Sequence, residues 1–235
     1  MGAAQRVVSL VPSLTETLVT WGVDVVGRTR FCLHGDGERV GGTKDPDVGA
    51  VVALRPHLVV ANKEENRADD VAALQAAGLD VVVTDIGSLR DAAVELRRLG
   101  ALVDRVDHAE ALAGEIEAIR RDPPTVAAIC YIWRKPWMAV GTGTFAHDVM
   151  SAGGFANVVT EDRYPDVGLD RHGAAVALLP SEPYPFTGRQ LPEVEAVFGK
   201  GHAVLCDGQS LTWYGPRTVA GVEEVRALRG LGGLK

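Results

Sequence analysis

Asp107–Arg121, DHAEALAGEIEAIRR, reads as a single amphipathic helix in the middle of a 235-residue chain. Ala109, Leu112, Ala113, Ile116 and Ile119 recur at three- and four-residue spacing, and Glu110, Glu115, Glu117 and Arg120 take the opposite face. Asp107 followed by Glu110 has the spacing of a capping box. Arg120 and Arg121 suit the negative end of the helix dipole, and Asp122-Pro123-Pro124 is a stop, because proline has no N–H and disfavours helical geometry in the residue before it. On either side the chain repeats strand and helix signals over about a hundred residues. The pattern predicts an α/β protein with two lobes of mostly parallel sheet, residues 1–103 and 123–235, joined by one linking helix within 104–122.

The first lobe begins with Val7–Val11, a β-branched run closed by Pro12, and Ser13-Leu14-Thr15-Glu16 predicts a capped helix ending near Trp21-Gly22. Val25–Arg28, His57–Ala61 and Val81–Thr84 are apolar enough to be buried strands, with helices after Asp45-Pro46, from Asp69 to Ala77, and from Ser88 to about Leu99. In the second lobe, strands are expected at Val126–Ile132, Trp137–Val140, Ala174–Leu179 and Ala203–Leu205. Helices are expected at Phe145–Ala152 behind a Thr144 cap, from Pro192 to Gly199, and from Arg217 to Leu228. Gly141-Thr142-Gly143-Thr144 imitates a phosphate-binding fingerprint but lacks the third glycine and the acidic residue, so it reads as a turn and a cap.

Composition narrows the function classes. The chain is 46% hydrophobic and 23% charged, which suits a globular protein. Its net charge of −7, with 24 scattered basic residues, argues against nucleic acid. No apolar run reaches the length of a membrane span. Met1–Arg6 leads directly into the first strand without a signal-peptide apolar region, and Gly2 lacks the context for myristoylation. Cys32, Cys130 and Cys206 are odd in number and far apart, as expected of reduced thiols. The expectation is a cytoplasmic chain, or an extracytoplasmic one whose signal has been removed.

In open α/β sheets, ligands lie outside the carboxyl ends of the strands, so the loops at those ends form the candidate site. Those loops hold Phe31 and His34; Asn62, Glu64 and Glu65; Trp133, Arg134 and Trp137; Tyr184 and Phe186; and Trp213 and Tyr214. Aromatic residues make up only 6% of the chain, so their concentration here points to walls for a bulky or flat ligand. Prolines interleaved with Tyr184 and Phe186 stiffen that loop. Cys32 and His34 are two ligands at one spacing, short of a zinc pattern, and His147 reads as a polar first-turn residue. No nucleophile elbow is present, so no catalytic residue is assigned.

Several segments together carry a resemblance. These are Ser9–Glu16, Val25-Val26-Gly27, Val48–Pro56 with Leu58–Ala61, the GTGT turn with its helix and Ala152–Val159, and Gly215-Pro216-Arg217. The chain resembles the helical-backbone metal-receptor superfamily, the class III periplasmic binding proteins for cobalamin, ferric siderophores and haem, and is most similar to the cobalamin-receptor branch. The resemblance implies a ligand cleft between two lobes tied by one rigid helix, binding rather than catalysis, and a metal chelate as ligand, with no built-in cofactor or protein-bound metal. It also implies an ABC permease as partner. Receptors of this kind dock through one glutamate on each lobe, and the matching positions here are Ala68 and Thr212, with Glu64, Glu65, Asp69 or Asp70 as substitutes in the first lobe only. Where the cobalamin receptors carry an aromatic residue after the strand ending at Ala61, this chain has Asn62 and then Lys63, Glu64 and Glu65. The alternatives are an enzyme or metal-processing protein acting on such a ligand, and a ligand-free regulatory or scaffolding module.

Overall fold

The computed structural model describes residues 5–230. The expectations for a signal sequence and for myristoylation at Gly2 rest mainly on residues outside that range. The described chain gathers into two compact units. One holds the residues up to Ile86, then Asp91–Gly114 and Tyr214–Pro216; the other holds Gly87–Arg90, Glu115–Trp213 and the residues from Arg217 onward.

In the first unit, strands β1 (Arg6–Ser9), β2 (Asp24–Arg28), β3 (Glu38–Arg39), β4 (Leu58–Asn62) and β5 (Val81–Thr84) form one sheet in the order β3-β2-β1-β4-β5. Every pairing in it is parallel. Every residue of β4 is buried, as a central strand covered on both faces requires. Between the strands run α1 (Pro12–Thr20), α2 (Val48–Ala53) and α3 (Ala68–Ala76), followed by α4 (Leu89–Leu102) and α5 (Val106–Glu117). Val8, Leu10, Val40, Val51, Val59 and Leu74 form a core against this sheet.

The second unit contains β6 (Val126–Trp133), β7 (Met138–Ala139), α6 (Phe145–Ala152), β8 (Phe155–Asn157), β9 (Val176–Pro180), α7 (Leu191–Phe198), β10 (Ala203–Cys206), α8 (Gln209–Thr212) and α9 (Thr218–Leu228). Its sheet runs β10-β9-β6-β7, with β8 also on β6. All pairings are parallel except the β6–β7 hairpin. The sequence reading missed β3, β8 and α8, which are two to four residues long and too short to show a period.

The Asp107–Arg121 stretch forms α5, which buries Ala109, Leu112, Ala113 and Ile116 of the expected stripe, while Ile119 lies beyond its end and is half-buried. Its ends differ from expectation. The carbonyl of Arg105 accepts the first helical bond from Ala109, so Asp107 sits inside the first turn and is not the cap. Arg105 instead turns its guanidinium to the carbonyls of Trp21 and Gly22, where α1 ends. The helix stops at Glu117, and Arg120 and Arg121 lie beyond it, paired with Asp122 and Asp148. The Asp122 carboxylate just downstream and the Asp148 carboxylate on α6 outcompete the weak pull of the helix dipole. At the start of α5, Gly100 of α4 lets the two helices approach closely: a Cβ there would lie 2.3 Å from that of Ala109.

The capping box at Ser13–Glu16 is likewise not formed. Pro12 takes the first helical position behind Val11, Ser13 lies in the first turn, and Glu16 faces His34. Thr144 caps α6 as expected, accepting from the His147 N–H and donating to the Gly141 carbonyl.

Candidate functional site

Strand-end loops of the first unit

β1, β2 and β4 end in the loops that contain Ser9–Pro12, Thr29–Gly37 and Lys63–Arg67. Asn62, expected among the ligand contacts, is only 2% exposed and its side chain is fully used. It donates to the Thr84 carbonyl and hydroxyl at 3.2 and 3.0 Å, and accepts from the N–H groups of Glu64 and Glu65 at 2.8 and 3.3 Å. Asn62 therefore shapes the turn that carries the two glutamates and leaves no polar atom for a ligand.

Glu65 accepts a 3.0 Å hydrogen bond from the Tyr214 hydroxyl. Tyr214 is buried, and burial, reinforced by the charge of Glu65, pushes its hydroxyl well above the usual phenol range, so it stays a donor at neutral pH. Tyr214 thus fastens the Glu65 turn from inside the unit. His34 lies 3.2 Å from the Glu16 carboxylate through Nε2. Phe31 is 52% exposed, with the Arg30 guanidinium 4.8 Å above its ring, and Asp45 holds that guanidinium by a forked pair at 3.0 Å. Neighbouring Leu33 is 68% exposed. Cys32, between them, is buried, with its Sγ 3.1 and 3.2 Å from the hydroxyls of Thr15 and Thr29.

Strand-end loops of the second unit

Here the structure brings together five rings. Tyr131 on β6 meets Trp137 edge-on at 5.0 Å, Trp137 stacks on Phe186 at 5.8 Å, Phe186 leans on Tyr184 at 4.7 Å, and Tyr184 meets Trp133 edge-on at 5.6 Å. The chain of rings runs from the core to the surface: Tyr131 and Phe186 are buried, Trp137 and Tyr184 half-buried, and Trp133 is 43% exposed. The Tyr131 hydroxyl donates to the Asp170 carbonyl at 2.7 Å, and burial pushes it up to about 12. Each ring contact adds about 0.5–1.5 kcal/mol beyond burial. Arg134, next to the outermost ring, is held by Glu193 at 2.8 Å, which keeps its guanidinium charged and fixed.

Trp213 is not part of this ladder. It is buried, donates its indole N–H to Glu182 at 2.6 Å, and lies 5.3 Å under the Arg217 guanidinium. Burial raises the carboxyl pKa of Glu182, and the donors Trp213 and Thr212 pull it back without cancelling that effect. Gly208 is pressed against Glu182, where a Cβ would come within 2.4 Å of the side chain. Phe186 and Trp213, both expected to touch ligand, are buried, Phe186 against Trp137 and Tyr184 and Trp213 against Glu182 and Arg217.

Tyr131, Glu182, Asn66 and the Arg30–Asp45 pair were absent from the sequence-based set. Tyr131 alternates along β6 with Cys130 and Ile132 in a wholly apolar run, which gave no sign that it starts the ring ladder. Among the described residues no group of three or more His, Cys, Asp or Glu side chains gathers as a metal site. No helix among them is long and apolar enough to cross a membrane. All three cysteines are free.

Comparison with known proteins

No family model matches the chain. The vitamin B12-binding protein of Salmonella choleraesuis is 27% identical over 174 residues, covering 69% of this chain and 65% of the relative, so the chain spans just under two thirds of that protein's length. Among solved structures, the periplasmic vitamin B12 binding protein BtuF of Vibrio cholerae superposes with a TM-score of 0.77 at 18% identity, covering 95% of this chain and 96% of that one. The chain has the class III periplasmic-binding-protein fold. A periplasmic heme binding protein of Pseudomonas aeruginosa shares that fold with a TM-score of 0.79 at 20% identity, over 95% of this chain and 91% of its own. The relatives are named as binding proteins, not as enzymes.

Proposed function

We propose that this protein binds a metal chelate, cobalamin first and haem or a ferric siderophore next, and that Trp133, Tyr184 and Arg134 form the ligand-facing edge of its second unit. The observation that carries this reading is the half-exposed Trp133 at the end of a ladder of packed rings, beside an arginine already fixed by Glu193. A rigid indole face suits a large, partly apolar macrocycle, and a fixed guanidinium suits its polar edge. The names of the relatives support the same ligand class. Micromolar to nanomolar affinity corresponds to about −8 to −12 kcal/mol, to which the two ring contacts add about 0.5–1.5 kcal/mol each and a charge-assisted bond about 1.5–3 kcal/mol, beside the apolar area that a macrocycle buries.

In this reading the protein binds and releases its ligand unchanged. An ABC permease is its partner, and the site of action is extracytoplasmic. Titration with cobalamin, haemin and ferric siderophores, followed by tryptophan fluorescence, tests the proposal: at least one of them quenches emission with a saturating curve. If none changes emission or thermal stability at about 100 micromolar, a concentration that would fill any site in this affinity range, the reading fails.

A further inference from the structure

In the first unit, one buried side chain reaches three of the strand-end loops. Asn66 is 5% exposed. Its Nδ2 donates to the Leu10 carbonyl at the end of β1 at 3.2 Å, and to the Thr43 carbonyl in the loop after β3 at 2.9 Å. Its Oδ1 accepts the backbone N–H of Asn62 at 2.8 Å, at the end of β4. Four residues earlier, Asn62 uses its own amide to hold the end of β5 through Thr84 and to set the N–H groups of Glu64 and Glu65. Thr84 closes the circuit by donating its hydroxyl to the Ala61 carbonyl at 3.1 Å. Lysine reinforces it from outside, with Lys44 Nζ on the Glu64 carbonyl at 2.5 Å.

All the polar atoms of both amides are matched by backbone or hydroxyl partners, so each loop end has one defined position. The Leu10 and Thr43 carbonyls belong to loops, and the Asn62 N–H belongs to the last residue of β4, where the ladder gives way to the loop. An aspartate at position 66 would place oxygen against two carbonyls, and an alanine would leave both carbonyls and an N–H without their partner.

We infer that Asn66, with Asn62, is the positioning residue of the first unit's ligand-facing loops: it touches no ligand and sets the geometry of the Ser9–Pro12, Thr43 and Lys63–Glu65 segments that do. The ligand part of this inference rests on the chelate-binding reading above. Fixed loops bind with less ordering cost than loose ones, so the hub acts on affinity and not only on folding.

The test compares wild type with Asn66→Ala and Asn66→Asp, with Thr43→Ala as a control that keeps the backbone carbonyl. Amide hydrogen exchange is measured on ligand-free protein, and affinity for cobalamin, haemin and ferric siderophores is measured well below the melting temperature of each variant. The inference expects exchange at residues 43–45 and 62–65 to accelerate tenfold or more in both Asn66 variants, with the second unit's sheet unchanged. It also expects affinity to fall tenfold or more, while Thr43→Ala behaves as wild type. Variants that melt earlier but retain wild-type affinity and exchange at those residues make Asn66 a stability residue only and overturn the inference. If wild-type protein binds none of the probes, the chelate reading falls and takes the ligand clause with it; the exchange pattern still decides whether Asn66 holds the loops.

Discussion

The two units end their parallel strands in loops of opposite character. In the first, amides and carboxylates hold the loops: Asn62 and Asn66 between strand ends, Glu65 on Tyr214, Glu16 beside His34. In the second, rings do the same work, from Tyr131 through Trp137, Phe186 and Tyr184 to Trp133. Hydrogen bonds are directional and fail when one partner is lost, whereas ring packing is distributed over area and fails by leaving a cavity. The two faces should therefore respond differently to substitution.

The largest effect is expected at a buried ring in the middle of the ladder. Phe186→Ala removes a buried ring that stacks on Trp137 and leans on Tyr184, and should lower stability by about 3–5 kcal/mol in chemical denaturation. A loss under about 1 kcal/mol would show that the ladder is loosely packed. On the polar face, Asn62→Ala takes away the side-chain acceptor of the half-buried Glu64 and Glu65 N–H groups and one of two donors to the Thr84 carbonyl, which keeps the Lys63 N–H, and should cost about 1–3 kcal/mol in the same assay. A near-neutral result would mean that water replaces the amide and that the polar face is not specified by this residue.

At the outer end of the ladder the balance reverses. Trp133→Ala should change stability by less than about 1 kcal/mol, because the ring is half-exposed, yet weaken chelate binding about tenfold or more. Replacement of the exposed Glu117 on α5 should change neither. If Trp133→Ala destabilises as much as Phe186→Ala, Trp133 is a packing residue like the rest.

The smallest expected effect is a pair of opposed pH dependences within the second unit. Burial pushes the Asp148 carboxyl up, but the hydrogen bonds from Arg121 and from the Leu89 N–H outweigh it, and the pKa lies below its ordinary 3.8. A lowered carboxyl contributes stability that is present above 3.8 and lost as pH falls through the folded value, so Asp148→Asn should flatten the acid limb below about pH 4. Glu182 has the opposite sign. Its pKa is raised above the ordinary 4.5, so the folded state binds the proton more tightly, and this group's contribution improves as pH falls from above its folded value toward 4.5. Glu182→Gln should remove that trend in the same series of thermal melts, and an unchanged profile would place Glu182 in contact with more water than its burial indicates.

The same contrast explains what the sequence made legible. Parallel strands with buried runs, the stripe on α5 and the Thr144 cap all depend on local spacing, and they appear where expected. The aromatic concentration after β6 and β9 was visible in composition alone. Which rings face outward was not: Trp133 and Phe186 look alike as letters, and only the register of β6 and the course of the 181–187 loop separate an exposed indole from a buried phenyl. The polar face was least legible. Asn62 looked like a ligand contact because it follows a buried strand, but its partners Thr84 and Asn66 become neighbours only when β4 pairs with β5 and the loop folds back. Arg120 and Arg121 looked like dipole partners for α5 because their carboxylates, Asp122 and Asp148, act outside the helix register.

The central claim is that this protein holds a metal chelate on the aromatic face of its second unit. Native mass spectrometry after incubation with an equimolar mixture of cobalamin, haemin and a ferric siderophore tests it most directly. The account predicts one adduct, a single chelate per chain, present in wild type and strongly depleted in Trp133→Ala; a wild-type spectrum showing only the bare chain with every chelate would contradict it.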